Sequence, residues 1–269
     1  MKKFFKRFLL FFCLPLAILA IIVFAPAAFI RYCMPERFDY HDNTAHFSIY
    51  YNESDKSAIE DLKNQLESSY ERITTDLKQP MDKFTTIKVY PDLNTFHSTL
   101  KFRSCEGNGL LWWINVLFSG ERGDWYLGNT DGTTGEIRIV SPLNPDAGGC
   151  IPIHEFTHAV VNEVTSNSNR IVGTTFGKLL NEGIAVYESG QRVICENIST
   201  ILPESIDKLP TSSEFAYAGG YLFVKYVVKN YGYDKLIELL KKDYSGGNYD
   251  SETRQLYNEW VEYLKANQN

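Results

Sequence analysis

The stretch CIPIHEFTHAVVNEV, running from Cys150 to Val164, places His154 and His158 four residues apart with Glu155 between them. Residues at that spacing lie one above the other on one face of a helix, so both imidazoles can aim a ring nitrogen at a single point. A zinc ion bonded to each nitrogen at about 2.0–2.1 Å fits between them. Glu155 is turned one residue to the side, away from ligation of the same ion but within reach of a water bound to it, as a general base would be. A chance match to this pattern in such a chain, with its five histidines, is on the order of one in a hundred. The motif therefore needs a third ligand.

One known continuation supplies a third histidine in the same segment, as H-E-x-x-H-x-x-G-x-x-H. Its last two fixed positions are occupied here by Val161 and Val164, which excludes that branch. The segment LLNEGIAVYESG, Leu179 to Gly190, offers another solution: Glu182 lies 24 residues after His158 on the next predicted helix. Antiparallel packing of the two helices brings its carboxylate to the ion. His154, His158 and Glu182 then hold one zinc ion with a position open for water.

Upstream, AHFSIYY (Ala45 to Tyr51) alternates as a strand, and Ile59, Leu62, Leu66, Tyr70, Ile73 and Leu77 recur at helical spacing before Pro80. FTTIKVY (Phe84 to Tyr90) reads as a second strand, giving a β-α-β start. Residues 105–134 are glycine-rich and aromatic, with no clear period, and are long enough to cover a site. GEIRIVSP (Gly135 to Pro142) is a short alternating strand leading into the histidine helix. Downstream, helical patterns run over Phe176–Ser189, Ser213–Asn230, Tyr233–Lys242 and Ser251–Ala266, with Thr211 and Glu214 at capping-box spacing. The expected fold is α+β. A mixed α/β lobe (39–150) precedes a helical lobe (151–269), and the zinc site lies at their junction.

HEFTHAVVN resembles the metal helix of thermolysin-like peptidases, and LNEGIAVY resembles the third-ligand helix they share with aminopeptidase relatives. Together the two motifs are similar to the gluzincin clan of zinc peptidases, in particular its small peptidase MA-like domains, over roughly residues 45 to 240. The resemblance implies a zincin-like fold, a zinc-activated water with Glu155 as base and proton shuttle, and a peptide or protein substrate. It also implies a second donor for the oxyanion. Thermolysin-like enzymes use a downstream histidine, which this chain lacks. FAYAGGYLFVKY (Phe215 to Tyr226) resembles the aminopeptidase-like Tyr-x-x-Gly pattern and assigns the role to Tyr217, whose plainer reading is an aromatic on the core side of its helix.

The strand in GEIRIVSP is expected to be the edge strand with which an extended substrate pairs. It lacks the Gly-x-Met-Glu-Asn signature that holds a free amine in the aminopeptidase branch, which favours endopeptidase action and leaves Glu136 and Arg138 as solvent-facing or subsite residues. Asn162 and Asn181 are candidates to orient a ligand histidine. Gly183 is expected to let two helices approach, and Glu188 is either a support to the site or exposed.

The net charge of -6 is mild and spread, with no basic stripe, which sets nucleic acid aside. Lys2, Lys3, Lys6 and Arg7 precede a charge-free stretch from Phe8 to Ile30 that closes at Arg31. As a helix it would span about 34 Å, enough for a bilayer core of about 30 Å. Residues 1–38 are therefore expected to be a membrane anchor, or a signal segment cut near Ala25-Pro26-Ala27. Either places the rest of the chain outside the cytoplasm, as a membrane-anchored or a secreted protein. Cys33, Cys105, Cys150 and Cys195 lie beyond the stretch, where disulfides are permitted, and allow three pairings; Cys13 lies inside it. A rival reading is a non-catalytic or single-partner extracytoplasmic zinc-binding module with a vestigial site. Against it stands Glu155, for which a purely structural zinc site has no use.

Overall fold

Side-chain alternation builds the sheet. In β2 (Phe47–Tyr51) the first, third and fifth residues are buried and those between them half-buried, the two-residue period of a strand with one face on a core. β1 (Tyr40–Asn43) pairs antiparallel with it. β2 runs parallel to β3 (Thr85–Tyr90), and β3 parallel to β5 (Ile137–Val140). The crossover between β2 and β3 is α1 (Lys56–Asp76), which buries Ile59, Leu62, Leu66 and Ile73 at helical spacing. The computed structural model describes residues 36–103, 127–145, 149–165, 174–193 and 202–267. Within them the sheet has five strands in the order β1-β2-β3-β5-β4, where β4 is Gly128–Thr130, antiparallel to β5.

The expected edge strand is thus corrected. The strand in GEIRIVSP is β5 and lies inside the sheet; the rim belongs to β4. The cause is the turn at Asp131 and Gly132. Asp131 Oδ1 accepts the N–H groups of Thr133 and Thr134 at 2.9 and 2.8 Å, and Gly135 takes φ 70°, a conformation glycine adopts without strain. The chain therefore folds 128–130 back along β5.

The two sheet faces differ. Phe47, Ile49, Ile87, Val89, Ile137 and Ile139 join one apolar cluster with α1 and with the helices that follow, α3 (Ile151–Val164) and α4 (Thr175–Ser189). On the opposite face Tyr90 and Val140 pack with Phe96 of α2 (Leu93–Arg103) and with Phe38. After α4 comes a π-helical turn, Phe215–Gly219, which runs into α5 (Gly220–Lys241), and then α6 (Ser251–Ala266). The helix break expected near Asn230 is Gly232, at φ 79°. The cap expected from Thr211 falls one residue later, where Ser212 Oγ accepts the Phe215 N–H at 3.3 Å.

The apolar stretch 8–30 lies outside the described residues, and none of the described helices is long and apolar enough to cross a membrane. Cys13, Cys33, Cys105 and Cys195 also lie outside them, as does most of 105–134. Among the described residues Cys150 forms no disulfide.

Candidate metal centre

α3 opens with a proline in its first turn, where the missing N–H costs nothing and the fixed φ suits a helix. Its rotation is set by Phe156, whose ring meets Phe47 edge-on at 5.0 Å and is fully buried; such a pair contributes about 0.5–1.5 kcal/mol beyond its area. With that side on the sheet, His154 and His158 are turned to α4. α4 is capped by Thr174, whose hydroxyl accepts the Gly177 N–H at 3.1 Å, and ends at Gly190 in the left-handed region.

The two helices bring three ligand atoms together. Nε2 of His154 and Nε2 of His158 are 3.1 Å apart, and each lies 3.5 Å from Glu182 Oε2. A tetrahedral ion with bonds of about 2.0–2.2 Å sets ligand separations of about 3.3–3.6 Å; the two 3.5 Å edges fall in that range and the 3.1 Å edge lies just below it, so the triangle is close to the size of a zinc face. Glu182 Oε2 is buried with no hydrogen-bond partner. A buried carboxylate oxygen left this way is costly unless a cation meets it, so the donor set fits a divalent metal such as zinc. On the far side of the ring, His158 Nδ1 lies 3.1 Å from Asn181 Oδ1. The amide oxygen accepts the Nδ1 proton and leaves the Nε2 lone pair for a metal.

As proton-binding groups the trio is tightly coupled. Burial works against charge on His158, but the Glu182 carboxylate outweighs it and pushes the imidazole up to about 9. Burial likewise disfavours charge on Glu182, yet His158 and His154 hold it well below the usual carboxylate range.

Glu155 points to the sheet rim. Thr130 Oγ1 lies 2.7 Å from Glu155 Oε2 and 2.8 Å from its backbone oxygen. At Gly128 an added Cβ would fall 2.6 Å from Glu155 Cγ, so the side chain occupies the space a residue other than glycine would need. Neither Gly128 nor Thr130 is singled out by the sequence reading. The Asp131-Gly132 dipeptide before an alternating strand is a hairpin signal that could have found both.

Tyr217 stands in the middle of the π-helical turn, its ring nearly parallel to that of His154 (9°) at 5.6 Å. Single π turns inside helices are frequent at functional sites. The turn is pressed on α4 by two glycines. A Cβ on Gly183 would meet the carbonyl carbon and oxygen of Gly220 at 2.4 Å, and one on Gly220 would meet Leu179 O at 2.4 Å. The two backbones touch at the turn of α4 that carries Glu182.

Other candidates lie apart from the trio. The side chain of Asn162 makes no hydrogen bond among the described residues. Glu136 and Arg138 are largely buried and not solvent-facing. Arg138 shares the face of Val140, opposite α3, and both residues sit in a largely buried ion cluster, with Lys88 to Glu136 at 2.8 Å and Arg138 to Glu136 at 2.5 Å. Glu188 is buried at the end of α4, where Arg72 and Tyr233 hold it.

The family model for the peptidase MA superfamily matches residues 129–267, from the edge strand through α6. No curated protein matches the chain.

Proposed function

The chain belongs to the peptidase MA superfamily, and from that premise we propose that it is a zinc-dependent endopeptidase. The observation that carries the reading is the triangle of His154 Nε2, His158 Nε2 and Glu182 Oε2, with the carboxylate of Glu155 on the residue beside the first ligand. A zinc ion held by those three side chains would supply Lewis acidity, enough to acidify a bound water and polarise a carbonyl. Glu155 takes that proton and passes it to the departing amine, so one carboxylate serves as base and then as acid. Asn181 keeps His158 in the tautomer that offers its Nε2 lone pair.

Tyr217 donates to the developing oxyanion, a role supported by the parallel seat of its ring on His154. An extended peptide pairs with the rim at β4, where affinity comes from backbone hydrogen bonds and sequence preference is slight. The absence of the amine-binding signature from residues 127–140 supports cleavage inside chains. The charge-free stretch from Phe8 to Ile30 supports a domain outside the cytoplasm, anchored at the membrane or released by cleavage; a C-terminus protected on the cytoplasmic side in a protease-protection assay would refute that placement.

The test is cleavage of a mixed peptide pool by the full chain, purified in detergent and loaded with zinc, beside Glu155→Gln. The expected result is internal cuts that disappear in the variant while its zinc content is unchanged. A variant that cuts as fast as the wild type sinks the mechanism, and a folded, zinc-loaded wild type that cuts nothing sinks the activity.

A further inference from the structure

The base of the proposed reaction does not stand free. Thr130 closes the edge strand, and its single hydroxyl proton has two acceptors in reach: the Glu155 backbone oxygen at 2.8 Å and Glu155 Oε2 at 2.7 Å. The backbone oxygen lies inside α3 and is already served by the helix ladder. The carboxylate is the stronger acceptor and takes the proton. Two residues earlier on the same face of β4, Gly128 leaves open the volume the side chain fills: a Cβ there would lie 2.6 Å from Glu155 Cγ and 2.7 Å from Oε1. The Glu155 side chain is therefore laid on the strand backbone, with one oxygen bonded and the other free of any hydrogen bond among the described residues.

We infer that Thr130 is a positioning residue for Glu155, and that its hydroxyl and the bare backbone at Gly128 together form a seat on the edge strand. Oε2 is held, so Oε1 is the oxygen that accepts the proton of the attacking water. Glutamate has three rotatable side-chain bonds, and fixing them before the substrate arrives removes an ordering cost from the chemical step. The inference deepens the peptidase reading and rests on it for the role of the carboxylate, while the seat itself is a property of the strand and the helix. Because substrate pairs with the backbone of β4, losing the hydroxyl is expected to lower kcat and leave KM unchanged.

The experiment compares the zinc-loaded full chain with Thr130→Val, Thr130→Ser and Gly128→Ala. In each, the infrared difference against the matching Glu155→Gln protein isolates the Glu155 carboxylate stretch. Thr130→Val, which removes the donor and little volume, is expected to shift that band and to lower kcat about 10- to 100-fold at constant KM, the usual loss for an outer partner of a reacting group. Thr130→Ser restores both band and kcat. Gly128→Ala displaces the band with the hydroxyl still present. An unshifted band in Thr130→Val overturns the seat whether or not the protein cuts peptides. A wild type that cuts, beside a Thr130→Val protein of unchanged kcat, overturns the positioning role. A wild type that cuts nothing while the band shifts as expected overturns the peptidase reading alone and upholds the seat.

Discussion

Two glutamates six residues apart on α4, the half-buried Glu182 and the buried Glu188, show how one helix carries a candidate site at one end and a structural joint at the other. Glu188 is saturated. Tyr233 donates to its Oε1 at 2.7 Å, the Arg72 guanidinium meets its Oε2, and the same Arg72 donates to its backbone oxygen at 2.7 Å. Those bonds tie α1, α4 and α5 together. Burial still raises its carboxyl above the usual range, against the pull of Tyr233 and Arg72. Glu182 is the reverse. Its Oε2 is buried with no hydrogen bond, yet two imidazoles keep the group ionised in spite of burial. Burial alone does not mark a carboxylate as a ligand. The mark is an ionised group whose oxygen is left unsatisfied opposite other lone pairs.

The comparison predicts a double dissociation. Glu182→Ala is expected to lower zinc affinity by more than the about 10- to 100-fold that losing an outer partner costs, and to abolish peptide cleavage. It should also erase stabilisation by zinc, which amounts to about 2.7 kcal/mol when the free ion stands at 100 times its dissociation constant. Glu188→Ala should keep zinc binding and lose about 2 kcal/mol of folding stability, because the Tyr233 hydroxyl loses its acceptor. Chelator competition and thermal melts with and without zinc measure both. If Glu188→Ala loses zinc as Glu182→Ala does, the contrast between the two ends of the helix collapses.

Asn181→Ala sharpens the same contrast at smaller size. Asn181 precedes Glu182 and touches the ring of His158, not the ligand triangle. Its loss frees the imidazole to rotate and to protonate at the wrong nitrogen. The expected cost is about 10-fold in zinc affinity, within the range for an outer partner, with folding stability in the presence of chelator little changed. A loss of stability without loss of affinity would place Asn181 with Glu188 as a joint.

The clustering of His154, His158 and Glu182 was legible in the sequence because its signals are local. His154, Glu155 and His158 share one helical turn, and Glu182 follows inside a recognisable run, so 3.6-residue geometry suffices to bring them together. The strands and helices with clear periods also fall where alternation and helical spacing place them. Other features were less legible, each for a physical reason. β4 holds glycine, asparagine and threonine, with no alternation to mark a strand; the only sequence signal for it is the Asp131-Gly132 turn that folds it onto β5. The seat for Glu155 depends on the missing Cβ of Gly128, one glycine among several in a stretch with no clear period, and what lies against it is set by the packing of α3 on β4. Glu188 reads as either a support to the site or exposed, and Glu136 and Arg138 as solvent-facing or subsite residues, because their partners come from distant segments that only the fold brings in. Gly183 was readable as a close-approach residue, but its partner Gly220 was not, since only the packing of the π-helical turn on α4 joins them.

The smallest expected effect separates the two glutamates by pH, in the zinc-free protein. The carboxyl of Glu182 titrates below its ordinary 4.5 in the folded state. Between the two values the unfolded chain holds more protons, so the stability Glu182 contributes is present above about 4.5 and lost as pH falls. Glu188 titrates above 4.5 when folded. There the folded protein holds the extra proton, and the stability is present below 4.5 and lost as pH rises through the folded value. Each group moves at most one proton, so neither slope exceeds about 1.4 kcal/mol per pH unit. Urea midpoints recorded on both sides of that point should show Glu182→Gln removing the loss on the acid side and Glu188→Gln removing the decline above it. His158, pushed up to about 9, acts in a higher window and leaves these slopes apart. Equal slopes in the two variants would mean that the two carboxylates share one environment, and that the unsatisfied oxygen of Glu182 does not distinguish a ligand from a joint.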